Sequence, residues 1–331
     1  MTIQKAESAV LAFDVGGTDT KAGLVLPASR GEIPEILDIE RFPTALDAEN
    51  PGDVLVEFLA GLVDRYAAAH PAYRLDAFGV SVPGLVDEAR GLGIYAANLG
   101  WHDYPFKARL ENRLGRPVAF GHDVAVAGDA EVALGAGQGA QNEMILVVGT
   151  GIAAALYVDG RRLQAGGYAG EVGHAMAPAP GGGLNIMEAT GSAGAIARRY
   201  AEAVPGFSGG AREVLHLSQR GDLMAQQIWA DAIAALAFSI AQTVAMIGIT
   251  KVVIGGGLAE AGAALFEPLA EQVDRLLTFQ PRPLLVKATL GQNAGLIGSA
   301  LKAQSLIASQ IQGNDRRAAG SATAAELKPA L

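Results

Sequence analysis

One pattern occurs twice in this chain and constrains its fold more than anything else in it. Ala12 to Thr18 reads Ala-Phe-Asp-Val-Gly-Gly-Thr, and Leu146 to Gly151 reads Leu-Val-Val-Gly-Thr-Gly. In both, an apolar run meets a glycine/threonine turn and a second run returns: Val10–Val15 then Lys21–Leu26, and Met144–Val148 then Ile152–Val158. Each reads as a β-hairpin. Strands alternating with helices follow each hairpin, so the pattern predicts two α/β lobes related by duplication. Two such lobes leave a central cleft, where small-molecule sites favour forming.

Helical spacing predicts a helix over Asp53–Ala69, opened by Asn50-Pro51. A strand at Ala77–Val82 follows, then a glycine-rich excursion to Trp101, a helix at Phe106–Leu114, a strand at Pro117–Phe120 and a helix at Val124–Leu134. Beyond the second hairpin, Gly166–Leu184 reads as a long loop, followed by helices at Met187–Ala203, Ala211–Leu217 and Asp222–Ile247. A strand at Lys251–Ile254 runs into Gly255-Gly256-Gly257 and another helix; a strand near Leu284–Ala288 and a helix at Gly295–Ile307 complete the pattern. From Gln312 onward periodicity is lost, and residues 312–331 are expected to form a disordered tail. The smaller lobe is expected over 1–120 with 295–311, and the larger over 121–294.

Composition narrows the function. Half the chain is apolar and 18% is charged, which excludes disorder over most of its length. A net charge of −9 without a basic run argues against a nucleic-acid partner. There is no cysteine, so disulfides, thiolate zinc sites, iron–sulfur clusters and cysteine nucleophiles are excluded together. Only the five apolar residues Ala9–Phe13 precede Asp14, too few for an export signal, and a cytoplasmic protein is expected. Ala232–Thr250 carries no charge over nineteen residues. Its Ser239, Gln242, Thr243 and Gly248, and its extension back to Asp222, mark it as a buried core helix, so no membrane partner is expected. The 43 glycines among 331 residues are nearly double the usual ~7% and mark tight turns and close approaches of backbone to backbone or ligand.

A strand–Gly–Gly–Thr–strand turn exposes backbone N–H groups with no side chain in the way. Gly16, Gly17, Gly149 and Gly151 can therefore cradle phosphate oxygens, with the hydroxyls of Thr18 and Thr150 as further donors. Asp14, ending the first strand, is placed for a hydrated Mg²⁺ beside such phosphates, and Lys21 can add positive charge. One such turn alone is ordinary hairpin chemistry. Two alike, with Gly255, Gly256 and Gly257 at a third strand end, read as a nucleotide-phosphate site. Neither a P-loop nor a dinucleotide-binding glycine fingerprint is present.

These segments resemble the ROK sugar kinases, the bacterial glucokinase-like group within the actin/hexokinase superfamily. Asp14 to Leu24 (Asp-Val-Gly-Gly-Thr-Asp-Thr-Lys-Ala-Gly-Leu) resembles their first phosphate motif, Gly149 to Ile152 the second, and Val253 to Leu258 the adenosine motif. Gly79 to Asp87 and Asn98 to Trp101 resemble sugar-pocket segments, as do Gly170 to His174 and Met187 to Ser192. The resemblance runs in order from about residue 9 to 307. It implies two actin-like (ribonuclease-H-like) α/β lobes and transfer of the ATP γ-phosphate, with Mg²⁺, to the 6-hydroxyl of a hexose, glucose above all. It also implies a homodimer working in glycolysis.

By the same resemblance Asp123 is the catalytic base, and Gly84, Asn98, His122, Glu171, His174 and Glu188 contact the sugar. Read alone, Asp123 is equally a helix N-cap, Asn98 a turn former, and Glu171 and Glu188 solvated charges. Two departures stand out. The family's zinc site uses one His and three Cys, which this chain cannot supply; a zinc-free loop held by its own packing is expected over Ala175–Met187. The family's Asn-Asp-Ala-Asn becomes His122-Asp123-Val124-Ala125-Val126 here, altering a sugar contact. Alternatives within the family are a polyphosphate donor, an N-acetylhexosamine or mannose acceptor, or a non-catalytic sugar-binding relative. A DNA-binding relative would need a helix-turn-helix ahead of Asp14, where no room is expected.

Overall fold

The computed structural model describes residues 6–29 and 31–325. They divide into two compact units, Met1–Ala127 with Gly295–Leu331, and Gly128–Ala294. The division falls at Ala127/Gly128 instead of after Phe120, so Asp123, expected with the larger lobe, belongs to the first unit. Residues 1–5, assigned to the smaller lobe, and 326–331 of the expected tail lie outside the described residues.

In the first unit β1 (Glu7–Val15) and β2 (Asp19–Val25) form the antiparallel hairpin read from the sequence, in register from Val10↔Val25 to Val15↔Thr20. β3 (Ile36–Pro43) extends it antiparallel to β2. After α1 (Pro51–Ala69), β4 (Tyr73–Val82) pairs parallel with β1. A separate small sheet, β5 (Leu85–Asp87), β6 (Leu92–Tyr95) and β7 (His102–Tyr104), fills the glycine-rich excursion. α2 (Phe106–Leu114) leads to β8 (Val118–His122), parallel to β4, and α3 (Asp123–Leu134) follows directly. The sheet order is β3-β2-β1-β4-β8.

Both faces of this sheet are covered, so its central strands read as continuous apolar runs. Leu11, Phe13 and Val15 pack with Leu55 and Leu59 of α1 and Phe106 and Leu110 of α2. Their neighbours Val10 and Ala12 pack on the opposite face with Leu296, Ala300 and Ala303 of the C-terminal helix. Gly79 admits that helix: a Cβ there would collide with the Ser299 carbonyl.

The second unit repeats the plan. β9 (Glu143–Val148) and β10 (Ile152–Val158) form the second hairpin, and the short β11 (Arg161–Arg162) pairs with β10. β12 (Met176–Pro178) and β13 (Leu184–Ile186) make a two-stranded ribbon within the sequence-predicted loop. Then come α4 (Glu188–Gly191), α5 (Ala193–Ala203), α6 (Ala211–Gln219) and α7 (Leu223–Ile247). β14 (Lys251–Gly255) pairs parallel with β9; a 3₁₀ turn at Gly257–Ala261, α8 (Ala263–Leu276) and β15 (Leu284–Lys287) follow. The order β11-β10-β9-β14-β15 matches the first sheet strand for strand and direction for direction, which is the ribonuclease-H-like plan in duplicate. α7 is, among the described residues, the one helix long and apolar enough to cross a membrane by length and composition. Its Ile228, Leu236, Ile240 and Val244 pack with Met144, Leu146 and Val252 of the sheet, as a core helix does.

Several expectations are corrected. β3 lies where no element was predicted, because its alternation of Asp38, Glu40 and Arg41 with apolar residues is that of an edge strand with charged residues. The continuous helix over Met187–Ala203 is broken at Ser192, whose hydroxyl accepts the Ala195 N–H at 3.0 Å and caps α5. The helix after Gly257 begins as a 3₁₀ turn. α9 (Ala294–Ala325) continues through residues 312–325 of the expected tail. A helix already nucleated upstream extends through this stretch, which has no apolar periodicity to announce it.

Candidate active site

In the first unit the first glycine turn is organised around Asp14, the penultimate residue of β1. Pairing places it opposite Lys21 on β2 and Ser81 on β4. Lys21 Nζ lies 3.2 Å from Asp14 Oδ2, and Ser81 Oγ donates to Oδ1 at 3.3 Å. A Cβ on Gly295 would lie 2.7 Å from the Asp14 carboxyl carbon, so the positive end of α9 comes directly against this carboxylate. In the turn itself the Gly16 N–H donates to the Asp19 carbonyl at 2.9 Å, and Thr44 Oγ1 donates to the Gly16 carbonyl at 2.8 Å. Gly17 and Thr18 form its exposed tip; a Cβ on Gly17 would meet nothing within 4 Å, leaving the backbone donors accessible.

Asp123 stands where β8 becomes α3. Its Oδ1 accepts the Val124 N–H at 2.6 Å and lies 3.1 Å from His122 Nε2. The cap bond falls instead to His122, whose Nδ1 accepts the Ala125 N–H at 3.4 Å, because Asp123 is already the first residue of α3. Loss of water around Asp123 pushes its carboxyl above the usual carboxylate range; the imidazole opposes this and the negative charge of Asp14 adds to it. Behind it, Glu88 Oε1 accepts the His122 backbone N–H at 3.2 Å, and Glu88 Oε2 pairs closely with Lys302 Nζ. Gly84 has φ +90°, and a Cβ there would collide with the Tyr95 carbonyl, so only glycine suits this approach of β5 to β6. Asn98 is exposed on the turn before Leu99.

The second unit places its glycine turns side by side. Gly149-Thr150-Gly151 joins β9 to β10, and Gly255 on β14 pairs with Val147 on β9. Gly256 has φ +81°, and a Cβ there would collide with the Val148 carbonyl. Gly256, Gly257, Thr150 and Gly151 are exposed. The Ala193 N–H, at the start of α5, donates to the Gly149 carbonyl at 2.9 Å. Glu188 belongs to the same turn: its Oε2 accepts the Ile152 N–H at 2.7 Å, and a Cβ on Gly151 would lie 2.6 Å from that oxygen. Gly170 and Gly173 let their loop lie on β10, since a Cβ on either would collide with the carbonyls of Ala154 and Ile152. This backbone contact positions the half-buried Glu171 and the exposed His174. Ala175–Met187 is held by the β12–β13 ribbon, by the buried Ala177, and by a 2.9 Å bond from the Met187 N–H to the Ala175 carbonyl.

The family model "ROK family" matches residues 10–305. The chain belongs to the ROK family. It is 30% identical to a glucokinase of Halalkalibacterium halodurans, over 86% of this chain and 92% of that protein. Among solved structures, a ROK hexokinase from Thermus thermophilus is 31% identical with a TM-score of 0.74, covering 91% of this chain and 99% of that one. A ROK family glucokinase from Streptomyces griseus, in complex with glucose and AMPPNP, is 25% identical with a TM-score of 0.73, covering 90% and 99%.

Within this ROK chain the sequence-predicted residues fall into two sets, one per unit. Asp14, Lys21 and Asp123 with Gly84 and Asn98 are in the first; Glu171, His174 and Glu188 with both later glycine turns are in the second. Sequence reading missed Ser81, although it lies inside a quoted motif, and it missed the Glu88–Lys302 pair, whose partners are 214 positions apart. Only the fold brings Lys302 to Glu88, and no local pattern signals it.

Proposed function

We propose that this chain is an ATP-dependent hexose kinase whose acceptor is the 6-hydroxyl of glucose. The observation that carries the reading is Asp123, a half-buried carboxylate at a strand–helix junction. One of its oxygens is taken by two donors, and its basicity is raised by the loss of water. Such a group takes the hydroxyl proton as that oxygen attacks the γ-phosphorus, a contribution typically worth ~10²–10⁴ in rate. Gly84, Asn98, Glu171, His174 and Glu188 orient the sugar hydroxyls, with His122 beside the base. The N–H groups of Gly17 and Thr18 and of Thr150 and Gly151 hold phosphate oxygens, while those of Gly16 and Gly149 close their own turns; Lys21 adds charge, and Gly255, Gly256 and Gly257 leave room for the adenosine.

Asp14 fits a hydrated Mg²⁺ arriving on the phosphates: it is a single carboxylate, and the described residues hold no group of three or more metal-ligating side chains. When bound, the ion neutralises charge on the phosphates. The first unit accordingly carries the base and the first phosphate turn, and the second carries the other phosphate turn and the adenosine motif. The reading extends, on family resemblance, to a cytoplasmic homodimer in glycolysis.

The test is ADP release from Mg-ATP against glucose, mannose, fructose, N-acetylglucosamine and N-acetylmannosamine. Turnover on glucose is expected. Turnover on another sugar alone would reassign the acceptor. Silence with ATP and with polyphosphate, while glucose still binds, would make this chain a sugar-binding relative.

A further inference from the structure

The ring of His122 is held from both sides. Its Nδ1 accepts the Ala125 N–H at 3.4 Å, and its Nε2 lies 3.1 Å from Asp123 Oδ1. With Nδ1 an acceptor, the ring proton is on Nε2 and is donated to the carboxylate. The Val124 N–H converges on the same Oδ1 at 2.6 Å. Carboxylate torsions are broad and roughly two-fold, so a single donor would leave this group free to swing. Two donors on one oxygen hold it. The imidazole is anchored in turn at its backbone, where Glu88, paired with Lys302, accepts the His122 N–H.

Resting on the kinase reading, we infer that His122 is a positioning residue for Asp123 and not a sugar contact: its Nε2–H and the Val124 N–H hold Oδ1, leaving Oδ2 to take the proton from the acceptor hydroxyl. A side chain that served the sugar would govern glucose affinity. One that positions the base governs turnover.

The experiment compares His122→Phe with His122→Gln, measuring kcat with Mg-ATP and glucose Kd by calorimetry. His122→Phe is expected to lower kcat by ~10- to 100-fold, the cost of a base displaced by a fraction of an ångström to an ångström, with glucose Kd at the wild-type value. His122→Gln, whose amide N–H takes the place of Nε2–H, recovers most of that loss. Weakened glucose binding with kcat intact, or equal loss in both variants, would overturn the assignment. A second readout does not depend on turnover. Nitrogen-15 NMR of the wild-type ring, assigned with His122→Gln, is expected to show the Nε2–H tautomer, its Nε2 resonance moving in Asp123→Asn. An Nδ1–H tautomer or an unmoved resonance would overturn the pairing. An inactive wild type that keeps the Nε2–H signature would instead count against the kinase reading alone.

Discussion

The two units carry the same five-stranded sheet, yet equivalent positions at their glycine turns hold opposite chemistry. In the first unit, Asp14 on β1 pairs with Ser81 on β4. In the second, the corresponding partners on β9 and β14 are Val147 and Gly255. A carboxylate with a hydroxyl and a lysine on it suits charge and metal; a valine beside a buried glycine offers neither charge nor a polar side chain. Duplication supplied one scaffold twice, and substitution at a pair of sheet positions separated what each copy can hold. Individual buried carboxylates are also met differently, and within the second unit Glu131 accepts three backbone N–H groups. Glu88 in the first is satisfied by Lys302 and the His122 N–H. Glu143 in the second is fully buried, and neither of its oxygens finds a hydrogen-bond partner among the described residues.

The sharpest way to break this comparison is at Asp123, which has no counterpart proposed in the second unit. Asp123→Asn is expected to lower kcat by ~10²–10⁴, with glucose binding by calorimetry retained; turnover near wild type would remove Asp123 as the base. Next in size is Asp14→Val, which makes the first turn like the second. A loss on the order of 10² in kcat is expected, as for removal of one electrostatic element from a transition state, and the measurement is kcat against Mg²⁺ concentration.

The smallest effect concerns stability. Burial pushes the Glu143 carboxyl up from 4.5 to about 7, against the opposing pull of Lys251. Between those values the folded chain holds a proton that the unfolded chain has released, so this group's contribution to stability falls as pH rises from 4.5 to about 7 and is constant above. Glu143→Gln, close in shape to the protonated acid, should leave Tm unchanged at pH 4 and raise it at pH 8 in thermal melts buffered at those pH values. An equal change at both would mean that ionisation of Glu143 plays no part.

What could be read without coordinates was what local pattern carries. Apolar runs of strand length around Gly16-Gly17 and Gly149-Thr150-Gly151 announced both hairpins, helical periodicity announced α1 and α7, and motif order announced the family. Asp123, Asp14 and Glu188 could be named for the same reason, since each lies inside a contiguous glycine-bearing segment. β3 was not legible because an edge strand need not bury a continuous face. The helix over 312–325 was not legible because no amphipathic pattern runs through it and Gly313, Asn314, Asp315 and Gly320 are poor helix formers. The placement of Glu188 on the Gly151–Ile152 turn, of Ser81 on Asp14, and of Lys302 on Glu88 beneath His122 was decided by tertiary structure alone. Hydrogen bonds and ion pairs depend on distance in space. The side chains that hold Asp14 come from β2 and β4, and the Lys302 that pairs with Glu88 comes from α9, elements that only the folded sheet makes neighbours.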